Sequence, residues 1–239
     1  MSSTINDKQK TIALSLPEIN GNEWKYVKDC LDTGWVSSAG SYVTQFENMV
    51  AEFAGTKYGV ACVNGTSGLH LTMHMYDVKL GDHLLVPNIT FIASANAASY
   101  TYANPIFIDV DSNTWQIDLD LLEAFLAKKT EMREEVCYLL KTNKPIKAIM
   151  PVHVLGNMCN INRLVAICNS YNIIVIEDAS ESLGSYYNGK HSGGFGQMGV
   201  FSFNGNKIIT TGGGGVIVTN DESLAVSYTH LTLPTILLV

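Results

Sequence analysis

Asn172 to Asp178 read NIIVIED, four consecutive β-branched apolar residues closed by two acids. A strand with one wet face alternates apolar and polar residues, so an unbroken apolar run predicts a central strand buried on both faces of a sheet. Working outward, comparable runs recur as YGVACVN from Tyr58, HLLVPN from His83, PIFIDV from Pro105, KAIMPVHV from Lys147, GVFSFN from Gly199 and GVIVTN from Gly215. Seven strands are therefore expected. Between most of them lie segments of helical period, Ser67 to Tyr76, Asp118 to Lys128 and Asn160 to Tyr171. The alternation reads as α/β with a mainly parallel sheet covered on both sides. Ahead of the sheet, Glu18 to Leu31 and Val43 to Phe53 predict helices around GWVSSAG, Gly34 to Gly40. That loop is of the Gly/Ser type that touches a ligand or partner, or it merely joins two helices. The polar stretch Lys128 to Lys144 reads as a surface helix and loop.

The chain has 239 residues, 46% hydrophobic, with 15 Lys+Arg against 22 Asp+Glu and a net charge of -7. Those numbers describe a mildly acidic globular protein and leave no basic footprint for nucleic acid or an anionic membrane surface. The polar start MSSTINDKQKTIA lacks a secretory layout, and no apolar run approaches the ~20 residues of a membrane span. A cytoplasmic location is the expectation. The cysteines, Cys30, Cys62, Cys137, Cys159 and Cys168, are odd in number and never in a C-x-x-C pair, which suits reduced thiols better than disulfides or a zinc site.

Several motifs compete for a chemical role. GFGQMG, Gly194 to Gly199, satisfies G-x-G-x-x-G, but it leads into a strand instead of following one, so the dinucleotide reading fails on context. HLTMH sets His70 and His74 four apart without the glutamate of a metalloprotease motif or a third ligand, and reads as two helix histidines, one half buried. No metal site is expected. In VNGTSGLHL, Val63 to Leu71, a strand ends at a glycine turn and Thr66 and Ser67 stand where a helix begins. Helix N-termini bind phosphate, and hydroxyls add donors; plain N-capping by Thr66 is the alternative. Glu177 and Asp178 arrive at the carboxyl end of the NIIVIED strand, the edge where open α/β sheets place ligands. Metal binding, a ribose contact and capping all remain open for them. Finally, FSFNGNKIITTGGGG, Phe201 to Gly215, carries Lys207 just beyond a strand, after Ser202 and before glycines that let backbone pass close to a ligand. An anion cradle, a strand-end acid and a lysine on one sheet edge are the parts that hold pyridoxal phosphate.

The order NGTSGLHL, PNITFIASANAA, PIFIDVD, IEDASESLGS and GKHSGGFGQMGVFSFNGNKIITTGGGG resembles the DegT/DnrJ/EryC1/StrS aminotransferases, nearest the surface-polysaccharide, nonulosonic-acid and perosamine synthase types. The match runs from about Leu14 to about Leu224. The resemblance implies the type I pyridoxal phosphate fold, a three-layer α/β/α large domain, and homodimers with sites at the subunit interface. It implies Lys207 as the Schiff-base lysine, Asp178 on the ring nitrogen, Thr66, Ser67 and Ser202 on the phosphate, and Phe91 stacked on the ring, where ordinary packing is the alternative. Trp35 and Ser38 fall in the segment that approaches a sugar nucleotide. Two positions depart from the pattern. Glu181 stands where many relatives carry His or Gln near the phenolic oxygen, and Gly213 replaces the glutamate of the common G-E-G-G sequence.

The implied reaction is transamination of a nucleotide-linked keto sugar with glutamate as donor. Its rivals are a sugar dehydratase on the same scaffold, whose members carry histidine in place of Lys207, and a non-catalytic binding module. The expected organisation is a flexible start over 1–13, a cofactor-binding large domain over 14–225, and a foreign tail, VSYTHLTLPTILLV, over 226–239. A C-terminal small domain that the resemblance implies is not expected in this chain.

Overall fold

The computed structural model describes residues 18–37 and 40–227. They divide into two units, split after Ala39. In the first, helix α1 (Glu23–Thr33) ends at Gly34, whose φ of 76° is the left-handed C-cap conformation that glycine adopts without strain. Its large apolar side chains are exposed, with Trp24 at 79% and Leu31 at 66%.

The second unit begins with α2 (Ser41–Ala54) and carries the sheet. All seven expected strands form: β1 (Tyr58–Cys62), β2 (His83–Pro87), β3 (Asn104–Ile108), β6 (Lys144–Ile149), β7 (Ile174–Asp178), β10 (Met198–Ser202) and β11 (Gly215–Thr219). Their order across the sheet is β1-β11-β10-β7-β6-β2-β3. From β10 through β7, β6 and β2 to β3 every junction is parallel, whereas β11 runs antiparallel to both of its neighbours. Consequently β1, β10, β7, β6, β2 and β3 all end on one edge, and β11 starts there.

Side-chain alternation distributes the strands between two faces. Leu85, Ile149 and Val175 pack with Leu122 and Leu126 of α5 (Leu119–Lys129) and Ile161 and Leu164 of α6 (Ile161–Ser170). Leu84, Val86, Ala148, Met150 and Ile176 pack instead with Leu69 and Met73 of α3 (Gly65–Met75) and Ala93 and Ala97 of α4 (Ile92–Tyr100). Helices thus cover both faces, giving the three layers, and the β7 run of the NIIVIED motif is apolar throughout because both faces are core. Toward the β11 end, Phe201, Val216 and Val218 pack under Val50 and Ala54 of α2.

Two details correct the sequence expectations. Residues 128–144 do not form a surface helix and loop; α5 extends to Lys129, and β4 (Thr130–Arg133) then pairs antiparallel with β5 (Val136–Leu139), which joins β6. The helix after β1 is capped by Asn64, whose side chain accepts the Ser67 N–H, so Thr66 is inside the helix and is not its cap. A two-stranded ribbon, β8 (Tyr186–Tyr187) with β9 (Lys190–His191), completes the strands. Residues 222–227 are helical after Asp221 caps their first turn, and most of the 226–239 tail lies outside the described residues.

Candidate active site

The common edge of the parallel strands opens a cavity of about 560 Å³. Six of the seven residues expected to hold a cofactor line it: Thr66, Phe91, Asp178, Glu181, Ser202 and Lys207. They come from four separate connections, after β1, β2, β7 and β10, so the sheet's topology, and no local sequence, brings them together. Ser67 does not line it; its backbone N–H is held by Asn64 at 2.8 Å.

At one end of the cavity stands the first turn of α3. Asn64 takes the Ser67 N–H on its side chain and the Gly68 N–H on its carbonyl, and the Gly65 and Thr66 amides have no hydrogen-bond acceptor among the described residues. Free first-turn amides and the positive end of the helix dipole make an anion site. Gly65 is required by contact: a Cβ there would stand 2.9 Å from Ser202 Cβ and 3.3 Å from Ser180 Oγ. The helix end is therefore pressed onto two serines whose strand ends it faces. Ser180 also lines the cavity and was not anticipated, although its place two residues past Asp178 is a usable signal.

Asp178 is 4% exposed at the end of β7. Its carboxylate accepts from Ser94 Oγ at 2.6 Å and from the Ser180 N–H at 3.2 Å, and Thr90 Oγ1 lies 2.7 Å from Ser94 Oγ. A carboxylate offers about four acceptor positions, so it keeps capacity toward the cavity. Ser94 is a second residue the sequence did not disclose.

Opposite lies the connection from β10 to β11. Lys207 Nζ donates to Glu181 Oε1 at 3.3 Å, while Glu181 Oε2 accepts the Leu155 N–H at 3.1 Å. Leu155 is left-handed, with φ 54°, and 72% exposed. Backbone strain of this kind collects at functional sites; here it directs an N–H onto the carboxylate beside the lysine. Phe91 caps the start of α4 and is 73% exposed, which answers the packing alternative: its ring faces outward and is not part of the core.

Behind the cavity lies a buried polar group in which Glu177 takes none of the metal, ribose or capping roles left open for it. Glu177, fully buried, accepts from His153 Nε2 at 2.9 Å and from the N–H groups of Gly193, Phe195 and Gly196 at 2.8, 2.6 and 2.8 Å. Burial alone would raise its pKa, but the His153 bond and the backbone donors outweigh it and hold the carboxyl below its usual value. Two of the GFGQMG glycines are required by close backbone packing, since a Cβ on Gly196 would lie 2.3 Å from the Val175 carbonyl oxygen and one on Gly199 2.3 Å from the Gly193 carbonyl oxygen. His153 lines the cavity, and its Nδ1 is buried without a partner among the described residues.

Of the expected substrate residues, Trp35 belongs to the first unit and is 60% exposed, and Ser38 lies outside the described residues. No group of three or more His, Cys, Asp or Glu gathers as a metal site among the described residues. No described helix is long and apolar enough to cross a membrane.

A model of the DegT/DnrJ/EryC1/StrS aminotransferase family matches residues 17–236. The chain belongs to that family. It is 42% identical over 214 residues to the GDP-perosamine synthase of Caulobacter vibrioides, covering 90% of this chain and 53% of that protein. Among solved structures, a family aminotransferase from Brucella abortus superposes with a TM-score of 0.79 at 30% identity, over 86% of this chain and 52% of that one. An Escherichia coli GDP-4-keto-6-deoxy-D-mannose-3-dehydratase with bound hydrated pyridoxal phosphate gives 0.77 at 29% identity, over 92% and 53%. The chain spans about half the length of the curated relatives it matches.

Proposed function

We propose that this chain holds pyridoxal phosphate in the cavity and serves the transfer of an amino group from glutamate to a nucleotide-linked keto sugar, in the cytoplasm, with a second copy completing the site. The observation that carries this reading is the convergence of Lys207, Asp178 and the Gly65–Thr66 turn on one cavity. The residues fit the group. The cradle that a Cβ on Gly65 would fill has two free amides, the Thr66 and Ser202 hydroxyls and a helix dipole for a phosphate. Asp178, oriented by Ser94, has acceptor capacity for a protonated ring nitrogen.

When bound, pyridoxal phosphate supplies an aldehyde that carries amino groups and a ring that withdraws electrons. Lys207 Nζ is the amine that would attach that aldehyde and, when free, would hold the proton taken from the donor's carbon. Asp178 would hold the ring nitrogen's proton. Phe91, exposed where it lines the cavity, would cover the bound ring and exclude water. Glu181 orients Lys207 Nζ and faces the same space. GDP-perosamine synthases at 42% and 43% identity support a sugar nucleotide as substrate; surface-polysaccharide synthesis is the setting proposed with it. Lys207 favours amino transfer over the dehydratase chemistry of the same scaffold.

The test is an absorbance scan of the purified chain with added cofactor. A visible band that vanishes in Lys207→Ala, together with a borohydride-fixed mass increment on Lys207, is expected. No band, or a band unchanged by the substitution, defeats the reading.

A further inference from the structure

On the outer surface of α3, away from the strand ends, the HLTMH segment left aside as two helix histidines has a definite geometry. Four-residue spacing sets His70 and His74 on one helix face, and their Nε2 atoms lie 3.0 Å apart. We propose that His70 and His74 form a two-ligand site for a divalent transition metal, with water filling the remaining positions.

The separation matches that of a chelating pair. Two metal–nitrogen bonds of about 2.0 Å hold their nitrogens about 2.8 Å apart at a right angle and about 3.3 Å apart at a tetrahedral angle. The observed distance falls between, so the two nitrogens already stand at a chelating separation, and turning the rings about their side-chain bonds aims both lone pairs at one ion. His74 is exposed and His70 half buried, with the Tyr100 ring 5.3 Å from the His70 ring, so an ion reaches the pair from solvent. On binding, the hydrogen shared between the rings moves to the Nδ1 of the ring that carries it and both Nε2 atoms donate lone pairs, so neither ring gains or loses a proton overall. Imidazole pairs select Cu2+, then Ni2+ and Zn2+, over Mg2+ and Ca2+, which demand oxygen ligands. The site is independent of the cofactor reading.

The experiment uses the whole untagged chain. Calorimetric titration with Ni2+ and electron paramagnetic resonance with Cu2+ should give one ion per chain, with two imidazole nitrogens on Cu2+ and no response to Mg2+. His74→Ala and His70→Ala should each weaken Ni2+ binding about 100-fold, as a two-point attachment becomes a single one; circular dichroism checks that both variants fold. Undiminished binding in both variants, or a Cu2+ spectrum with fewer than two imidazole nitrogens, overturns the proposal.

Discussion

At the end of β7 two neighbouring carboxylates face opposite sides of the sheet. Glu177 turns toward the 193–196 loop, where one imidazole and three backbone N–H groups saturate it. Asp178 turns toward α4 and the cavity, where one hydroxyl and one N–H leave acceptor positions open. The strand's alternation alone makes this division. The saturated acid fixes the frame, and the unsaturated one remains for a ligand: satisfied and unsatisfied hydrogen-bonding capacity separates structure from chemistry better than charge or burial does, since both acids are buried.

The comparison breaks most visibly on the Glu177 side. Glu177→Ala leaves His153 and three amides without their acceptor, and removing one partner of a buried pair costs about 3–5 kcal/mol; urea denaturation should show that loss. Gly65→Ala comes next, at about 1–3 kcal/mol for forcing a methyl against Ser202, with weaker cofactor binding by titration because the added atom occupies the cradle. Asp178→Asn keeps an acceptor for Ser94 and should change stability by no more than about 1 kcal/mol while abolishing the cofactor's visible band. If Asp178→Asn were the more destabilising of the two carboxylate variants, the division of labour would be wrong.

The smallest effect is a pH slope. His191 is fixed by the Gly184 N–H on Nε2 at 2.7 Å and by its own Nδ1–H to the Ser192 carbonyl at 2.6 Å. Burial, the largest cause, lowers its pKa from 6.5 in the folded state. The unfolded chain therefore takes up the proton first, so stability holds above about pH 6.5 and falls as pH drops below it toward the folded value. His70 and His83 shift the same way. Thermal midpoints between pH 7.5 and 5.5 should fall, and His191→Gln should flatten part of that slope.

The seven strands were legible because strands buried on both faces leave unbroken apolar runs. Helix α4 was not, because IASANAASY packs by smallness: Ala97 and Ala98 are fully buried, and no large apolar residue marks a period. The β4–β5 hairpin was hidden by its turn, where Glu134 and Glu135 take φ of 45° and 63°, positions that Asn-Gly ordinarily fills. In the site, Lys207, Asp178, Thr66 and Ser202 could be read from their places at strand ends. Ser94 could not, since a serine within a helix carries no signal until the fold brings it 2.6 Å from Asp178. His153 was visible only as a polar residue in an apolar run; Glu177 was read with Asp178 as an acid on the ligand edge, and its turn to the other face, onto His153 and the 193–196 amides, is a property of adjacent strands.

The α3 end of the cavity rests on missing side chains. A Cβ would collide at Gly65 with Ser202, at Gly68 with Val200 Cγ1 at 2.8 Å, and at Gly215 with the Asn64 carbonyl carbon at 2.7 Å. No residue is smaller than glycine, so every mutation at these three codons pushes in one direction, wedging helix from sheet. Variation elsewhere around the cavity can trade size both ways; here drift has only one sign, and the anion end of the site is held by the impossibility of compensation.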